Sequence, residues 1–135
     1  MNAAVDTSER TRAAVEGFIA LARVGRREEA LAFLAPDVVV RQSPALPFGG
    51  EYRGHAGYRR LGERFAELFA ERSGGAGTRL LVEGDTAVAI GEVQGRLHGG
   101  GERFRVQVLE RYVVHAGLIV EITPFYFDPG FATSA

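Results

Sequence analysis

The alternation of apolar and polar positions is sharpest between Arg103 and Asp128, RFRVQVLERYVVHAGLIVEITPFYFD, which predicts two long strands joined at His115-Ala116-Gly117. Successive side chains of a strand point to opposite faces. One face then carries Phe104, Val106, Val108, Glu110, Tyr112 and Val114, the other Arg103, Arg105, Gln107, Leu109, Arg111 and Val113. The first set belongs inside, which leaves Glu110 as a lone carboxylate on an apolar face. On the following strand Leu118, Val120, Ile122, Pro124 and Tyr126 supply the matching apolar set. This hairpin is the expected floor of a pocket whose polar groups are Glu110, Tyr112 and Tyr126.

Upstream the period changes. Residues 1 to 5 are expected to fray, and Asp6 with Glu9 three positions later resembles a helix N-cap arrangement. Val15, Phe18, Ile19 and Ala22 recur at helical spacing up to Gly25. A shorter helix is predicted from Arg26 to Leu34 and is stopped by Pro36. A strand begins near Asp37, and if Val38 and Val40 face the core then Gln42 does too. The loop Ser43 to Gly50 holds two prolines and two glycines, with Leu46 and Phe48 to bury, so it suits the seal of a pocket mouth. A third helix is predicted from His55 to Glu71, striped by Tyr58, Leu61, Phe65, Leu68 and Phe69, and ends at Ser73-Gly74-Gly75-Ala76-Gly77. Strands over 78–83 and 86–98 follow, separated by Gly84-Asp85. Gly99-Gly100-Gly101 is a hairpin turn and no phosphate loop, because no helix follows it.

Helices gathered first and a strand meander last imply an α+β fold: a curved antiparallel sheet wrapped on three N-terminal helices, cone-shaped, with an internal pocket. At 135 residues the chain suits one domain, with a core over 6–128 and a tail over 129–135 anchored only by Phe131.

Composition narrows the chemistry. A net charge of -1 predicts no general attraction to nucleic acid or anionic lipid. With no cysteine, a thiol nucleophile, disulfide or thiolate metal site is excluded. Three widely spaced histidines make a metal site unexpected, and no organic cofactor is called for. No apolar run approaches a membrane span and no signal pattern opens the chain, so the cytoplasm is the expected compartment.

Three strings carry a resemblance: Ala35-Pro36-Asp37-Val38-Val39-Val40, Leu46-Pro47-Phe48-Gly49-Gly50-Glu51-Tyr52-Arg53-Gly54, and Gly117-Leu118-Ile119-Val120-Glu121-Ile122 leading to Pro124-Phe125-Tyr126-Phe127-Asp128. With the element order, they resemble the nuclear transport factor 2-like superfamily, in its SnoaL-like and ketosteroid-isomerase-like branch. The resemblance implies the cone fold. It does not imply one reaction, since the superfamily spans isomerases, cyclases, dehydratases, epoxide hydrolases and binders. Where steroid isomerases carry an oxyanion-holding tyrosine on the first helix, this chain has Phe18. Where they carry the proton-shuttling aspartate, it has Gln42. Both departures count against a standard steroid isomerase. The acid on the strand before the last turn falls on Glu110 in the SnoaL-like register. A turn of the isomerases' length would place Leu109 there instead, and the alternation of the strand decides for Glu110.

A carboxyl on an apolar face loses hydration, so its pKa rises and it can exchange a proton near neutrality. The competing reading is an arginine pair that only fixes the strand. Gln42, Tyr58, Tyr112 and Tyr126 are candidate substrate-binding polar groups, with Phe18 and Phe48 as apolar lining. His98, at a strand end beside the glycine turn, and His115, in the tight turn, are expected to be solvated; dehydratases of this resemblance pair an inward histidine with a carboxylate, and only His98 could serve so here. Asp128 would close the pocket mouth or, the favoured reading, bridge to an arginine. Two functions follow. One is a cofactor-independent enzyme that cyclises, isomerises or opens an epoxide in a small apolar oxygenated molecule by carboxyl proton transfer. The other is a non-catalytic binding or interaction module, a homodimer through an outer sheet face bearing Leu109 and Val113 among arginines.

Overall fold

The computed structural model describes residues 3–74 and 78–133. Helix α1 (Ala3–Ala22) is followed by α2 (Arg27–Ala30), a 3-10 turn (Leu31–Phe33), β1 (Leu34–Gln42), β2 (Gly50–Arg53) and α3 (Gly54–Leu68). Strands β3 (Phe69–Gly74), β4 (Arg79–Glu83), β5 (Thr86–Leu97), β6 (Phe104–His115) and β7 (Leu118–Tyr126) complete the sheet, and a 3-10 turn (Pro129–Ala132) closes the described chain. The strand order is β2-β1-β7-β6-β5-β3, with β4 also on β5. β4 takes the Thr86–Ile90 half of β5, and β3 takes the Val93–Leu97 half. Strands as long as β5 and β6 twist and coil, and the resulting cone is closed by the helices. None of the described helices is long and apolar enough to cross a membrane.

Several boundaries differ from the sequence pattern. α1 begins before Asp6, so Asp6 lies in its first turn, where a carboxylate favours the helix dipole, and is no N-cap. The second helix shortens to one turn, and β1 starts at Leu34, ahead of Pro36, because the proline's missing N–H is tolerated near a strand start. The β1–β7 pair is parallel, so the sheet is mixed, not purely antiparallel. The helix predicted to reach Glu71 ends at Leu68, and Phe69–Gly74 is strand. Gly95 permits this: a Cβ there would lie 2.0 Å from the Glu71 carbonyl oxygen, so only glycine lets β3 come this close. Gly75 to Gly77 and the last two residues lie outside the described residues.

On β7 the inward set is Ile119, Ile122 and Pro124, not Leu118 and Val120. Val113 pairs with Glu121 but Val114 with Ile119, so Val120 is an extra residue that flips the alternation. The tail is better anchored than expected. Ala132 is buried, and Phe131 packs 5.1 Å from Phe104 and 4.8 Å from Tyr126, measured between ring centroids.

Helix α1 is tied to the β4–β5 turn at both polar atoms of Gly84: its carbonyl accepts from Thr11 Oγ1 at 2.7 Å, and its N–H donates to Ser8 Oγ at 2.9 Å. Thr11 is buried and shows no apolar reason to be there other than this bond. The helix thereby lays Phe18 over the middle of the sheet, edge-on to Tyr58 and Tyr112 at 5.8 and 6.0 Å.

Candidate functional site

Between α1, α3 and the concave face of the sheet lies a cavity of about 310 Å³. Its origin is readable from the β5–β6 register. Facing inward, β5 offers Ala87, Ala89 and Gly91 opposite Tyr112, Glu110 and Val108 of β6. Small residues leave space in front of the β6 side chains. On its other side Glu110 is paired with Pro124 of β7, another compact residue. The hollow therefore forms where β6 places its inward carboxylate.

Glu110 faces this cavity, as strand alternation predicts. Burial pushes its carboxyl pKa up, opposed by the positive charge of Arg72 and by a hydrogen bond from Tyr112. The same contact works in reverse on Tyr112, whose phenol is raised well above its usual range by burial and by Glu110, and so stays protonated. Two positions apart on one strand face, the pair forms a carboxyl with a permanent donor beside it.

Among the described residues, Glu110 has no arginine within 4 Å, so the competing ion-pair reading does not describe it. The arginines of β6 do pair, but with other acids: Arg105 with Glu92 and Arg111 with Glu121.

Phe18, Gln42, Tyr58 and Tyr112 share the cavity wall with Glu110. The Gln42 side chain is buried at the end of β1, and its Oε1 has no hydrogen-bond partner; the Tyr58 hydroxyl on α3 has none either. Each such atom costs about 1–3 kcal/mol of lost hydration. Structural packing alone gives no account of them. Tyr126 stands one layer back from the wall, its hydroxyl bonding to Gln42 and Arg72, which do reach the cavity.

Phe48 is not on the wall. It is fully buried among Phe65, Phe69, Tyr126 and Phe131, because the Ser43–Gly50 loop folds inward and packs against α3 rather than across an opening. The Tyr52 hydroxyl donates to the Phe48 carbonyl at 2.9 Å and Arg64 Nη2 to the Pro47 carbonyl at 2.9 Å, which fix that loop.

Two further residues are not on the wall. His98 is exposed with its Nε2 3.1 Å from the Ala66 carbonyl, far from an inward catalytic role, because it sits past the end of β5. Asp128 neither closes a mouth nor is seen to bridge an arginine: its Oδ1 accepts from the Gly130 N–H at 2.9 Å and caps the final turn.

Sequence reasoning missed Arg27 and Arg72. Gly25, at φ 80°, ends α1 with its N–H on the Ala22 carbonyl, while Arg26 N–H reaches the Leu21 carbonyl. This left-handed cap turns the chain back so that α2 opens at the cavity with Arg27. The Arg27 guanidinium lies 3.9 Å from the Tyr58 ring centroid, and its Nη2 donates to the Tyr58 carbonyl at 2.7 Å. Burial lowers its pKa, the mark of a cation short of hydration. Arg72 on β3 stands 4.0 Å from the Phe65 centroid. Its signal is hidden because the predicted helix runs to Glu71 and stops at Ser73, which leaves no predicted strand over Phe69–Gly74.

Residues 15–122 match the family described as SnoaL-like domain. The chain belongs to that family. Solved structures agree on the fold. An NTF2-like protein of unknown function from Burkholderia pseudomallei superposes with a TM-score of 0.83 at 16% identity, covering 93% of this chain and 98% of that one. One from Burkholderia thailandensis gives 0.82 at 23%, covering 90% and 92%. TerC, co-crystallised with polyporic acid, gives 0.78 at 18%, covering 87% and 91%. A comparison with curated proteins finds no significant match. At these identities the structures establish the NTF2-like α+β cone and leave the reaction to the site of this SnoaL-like chain.

Proposed function

We propose that this SnoaL-like protein is a cofactor-independent enzyme that moves a proton on a small oxygenated organic molecule, with Glu110 as the proton carrier. The observation behind the proposal is that the one inward carboxylate of the long hairpin stands at a hollow left by Ala89 and Gly91, desolvated and unpaired with arginine. A carboxylate poorer in water is a stronger base toward a carbon acid, and its conjugate acid is present in larger fraction at neutral pH. Glu110 would take a proton from a carbon next to a carbonyl and return it at another atom, which isomerises the molecule or, after carbon–carbon bond formation, cyclises it. Protonated Glu110 would equally open an epoxide, giving its proton to the ring oxygen as the C–O bond breaks while water adds to the carbon and returns a proton to the carboxylate. The developing negative oxygen would face the Tyr58 hydroxyl, which lies on the wall without a partner. Tyr112 would hold Glu110 in place, and Tyr126 would hold Gln42 and Arg72, as positioning residues.

Exchange of the α-hydrogens of 2-tetralone for deuterium in D2O, followed by proton NMR, tests this without knowledge of the natural substrate. The protein should accelerate exchange over buffer by about a hundredfold, and Glu110→Gln should abolish the acceleration. Equal exchange rates for protein and Glu110→Gln would refute the assignment.

A second reading has its own observation. On the convex face Leu109 and Phe125 are register partners, 39% and 53% exposed, and Phe127 beyond them is 84% exposed. Three large apolar side chains side by side suit a twofold contact with a second copy, which would make the outer face an interaction surface whether or not the cavity is catalytic. Sedimentation at micromolar concentration tests it. A dimer that Phe125→Asp converts to monomer supports this reading, and a monomeric parent protein refutes it.

A further inference from the structure

The charges around the cavity do not balance. Arg27 and Arg72 both reach it and share the Phe65 ring, their guanidinium carbons 5.8 and 4.0 Å from its centroid. They are close enough that each repels the other's charge. Among the described residues neither has a carboxylate within the 4 Å of an ion pair.

The neighbouring acids are engaged elsewhere. Glu28, next to Arg27 in sequence, is held by both Nε and Nη2 of Arg59, at 2.9 Å each. Glu71, next to Arg72, points to the opposite face of β3 and binds Arg96 at 2.9 Å and Arg103 at 2.6 Å. Glu92, which borders the cavity, binds Arg105 at 2.9 Å. Ten of the described arginines form ion pairs on the surface, whereas Arg27 and Arg72, which meet at the cavity, form none. Two neighbouring guanidiniums over aromatic rings, with planar donor forks to spare, are the arrangement that takes a carboxylate or another delocalised oxyanion.

We infer that the molecule bound in this cavity is an acid, its carboxylate or ionised enol held between Arg27 and Arg72 while its apolar body reaches inward over Phe18 toward Glu110. This rests on the proposed site and deepens it by fixing the substrate class. It also orders the pocket: the anionic end lies on the α2–β3 side, and the reacting carbon lies at the β5–β6 hollow. Glu110, itself acidic, is held apart from the ligand's charge, and the arginine pair prevents two negative groups from facing each other in a poorly hydrated space.

The test is a matched pair of probes, 2-naphthoate and methyl 2-naphthoate, titrated by calorimetry against the protein and its variants at neutral pH. The parent should bind the acid about tenfold or more tighter than the ester. Arg72→Met, at an exposed position on an edge strand, should bring the two within about threefold. Arg27→Met should do the same, and Arg27→Lys, which keeps the charge, should restore part of the preference if the methionine variant fails to fold. Glu110→Gln should keep the preference for the acid or increase it, so loss of proton exchange in that variant leaves this result standing. An ester bound as tightly as the acid, an acid preference that survives Arg72→Met, or no saturable binding of the acid at millimolar concentration would each overturn the inference.

Discussion

The interior has two ends built on opposite rules. At one, Phe48, Phe65, Phe69, Phe104, Tyr126 and Phe131 interlock, with Phe48–Phe65 at 5.0 Å and Phe104–Phe131 at 5.1 Å between centroids. At the other, Ala89 and Gly91 leave room, and among the residues that line it are Glu110, Gln42, Tyr58, Arg27 and Arg72. The first end holds the cone together; the second sacrifices packing and leaves polar groups unpaired. Phe65 and Phe69 stand in both, lining the cavity and packing on Phe48. A rigid aromatic wall is thus the support against which a hollow can stay open.

Substitutions at the two ends should separate stability from function. Phe48→Ala removes a fully buried ring from the packed end and should cost about 3–5 kcal/mol, seen as a large drop in the urea midpoint. If Phe48→Ala costs less than about 1 kcal/mol, the packed end is not what holds the cone.

Glu110→Gln should act in the other direction. Because burial raises the folded-state pKa of Glu110, the folded protein binds its proton more tightly than the unfolded chain. The stability that this proton supplies is complete below the ordinary carboxylate range and is lost as pH rises through the raised pKa. Thermal melts should therefore match for parent and variant near pH 4 and diverge as pH rises, with Glu110→Gln higher by roughly 2–4 °C at pH 8. A variant that melts lower than the parent at every pH would mean that the carboxylate is structural.

Ala89→Leu places three carbons into the space beside Glu110. Its stability should change by less than about 1 kcal/mol, while proton exchange and naphthoate binding are lost. The smallest effect is expected on the convex face. Phe125→Ser should leave the midpoint of the isolated fold within about 0.5 kcal/mol, checked at concentrations where no self-association is seen.

What the sequence revealed follows the same division. The inward face of β6, Glu110 included, was legible because a single uninterrupted strand keeps its period of two. β7 misled after the turn, since one bulged residue at Val120 exchanges inside for outside and no residue type announces it. Phe69–Gly74 misled because Phe65, Leu68 and Phe69 continue the helical stripe, while the pairing that makes it a strand depends on Gly95, far along the chain. Arg72 was lost with it. Arg27 followed a visible glycine stop, but nothing local says that the turn aims its guanidinium at Tyr58. The hollow itself had a signal that pattern-reading passed over: Ala87, Ala89 and Gly91 alternate on the face of β5 that meets Tyr112, Glu110 and Val108. Small inward residues beside an inward acid mark space as well as chemistry.

The account depends on the state of one carboxyl group, and that state can be read directly. Carbon-detected NMR titration of Glu110 Cδ, assigned by comparison with Glu110→Gln, should show a midpoint above the ordinary glutamate value of 4.5, moving down toward that value when Phe18→Ala opens the cavity to water. A midpoint at or below 4.5 in the parent protein would contradict it, because a carboxyl that ionises as it does in water is neither desolvated nor poised to exchange a proton.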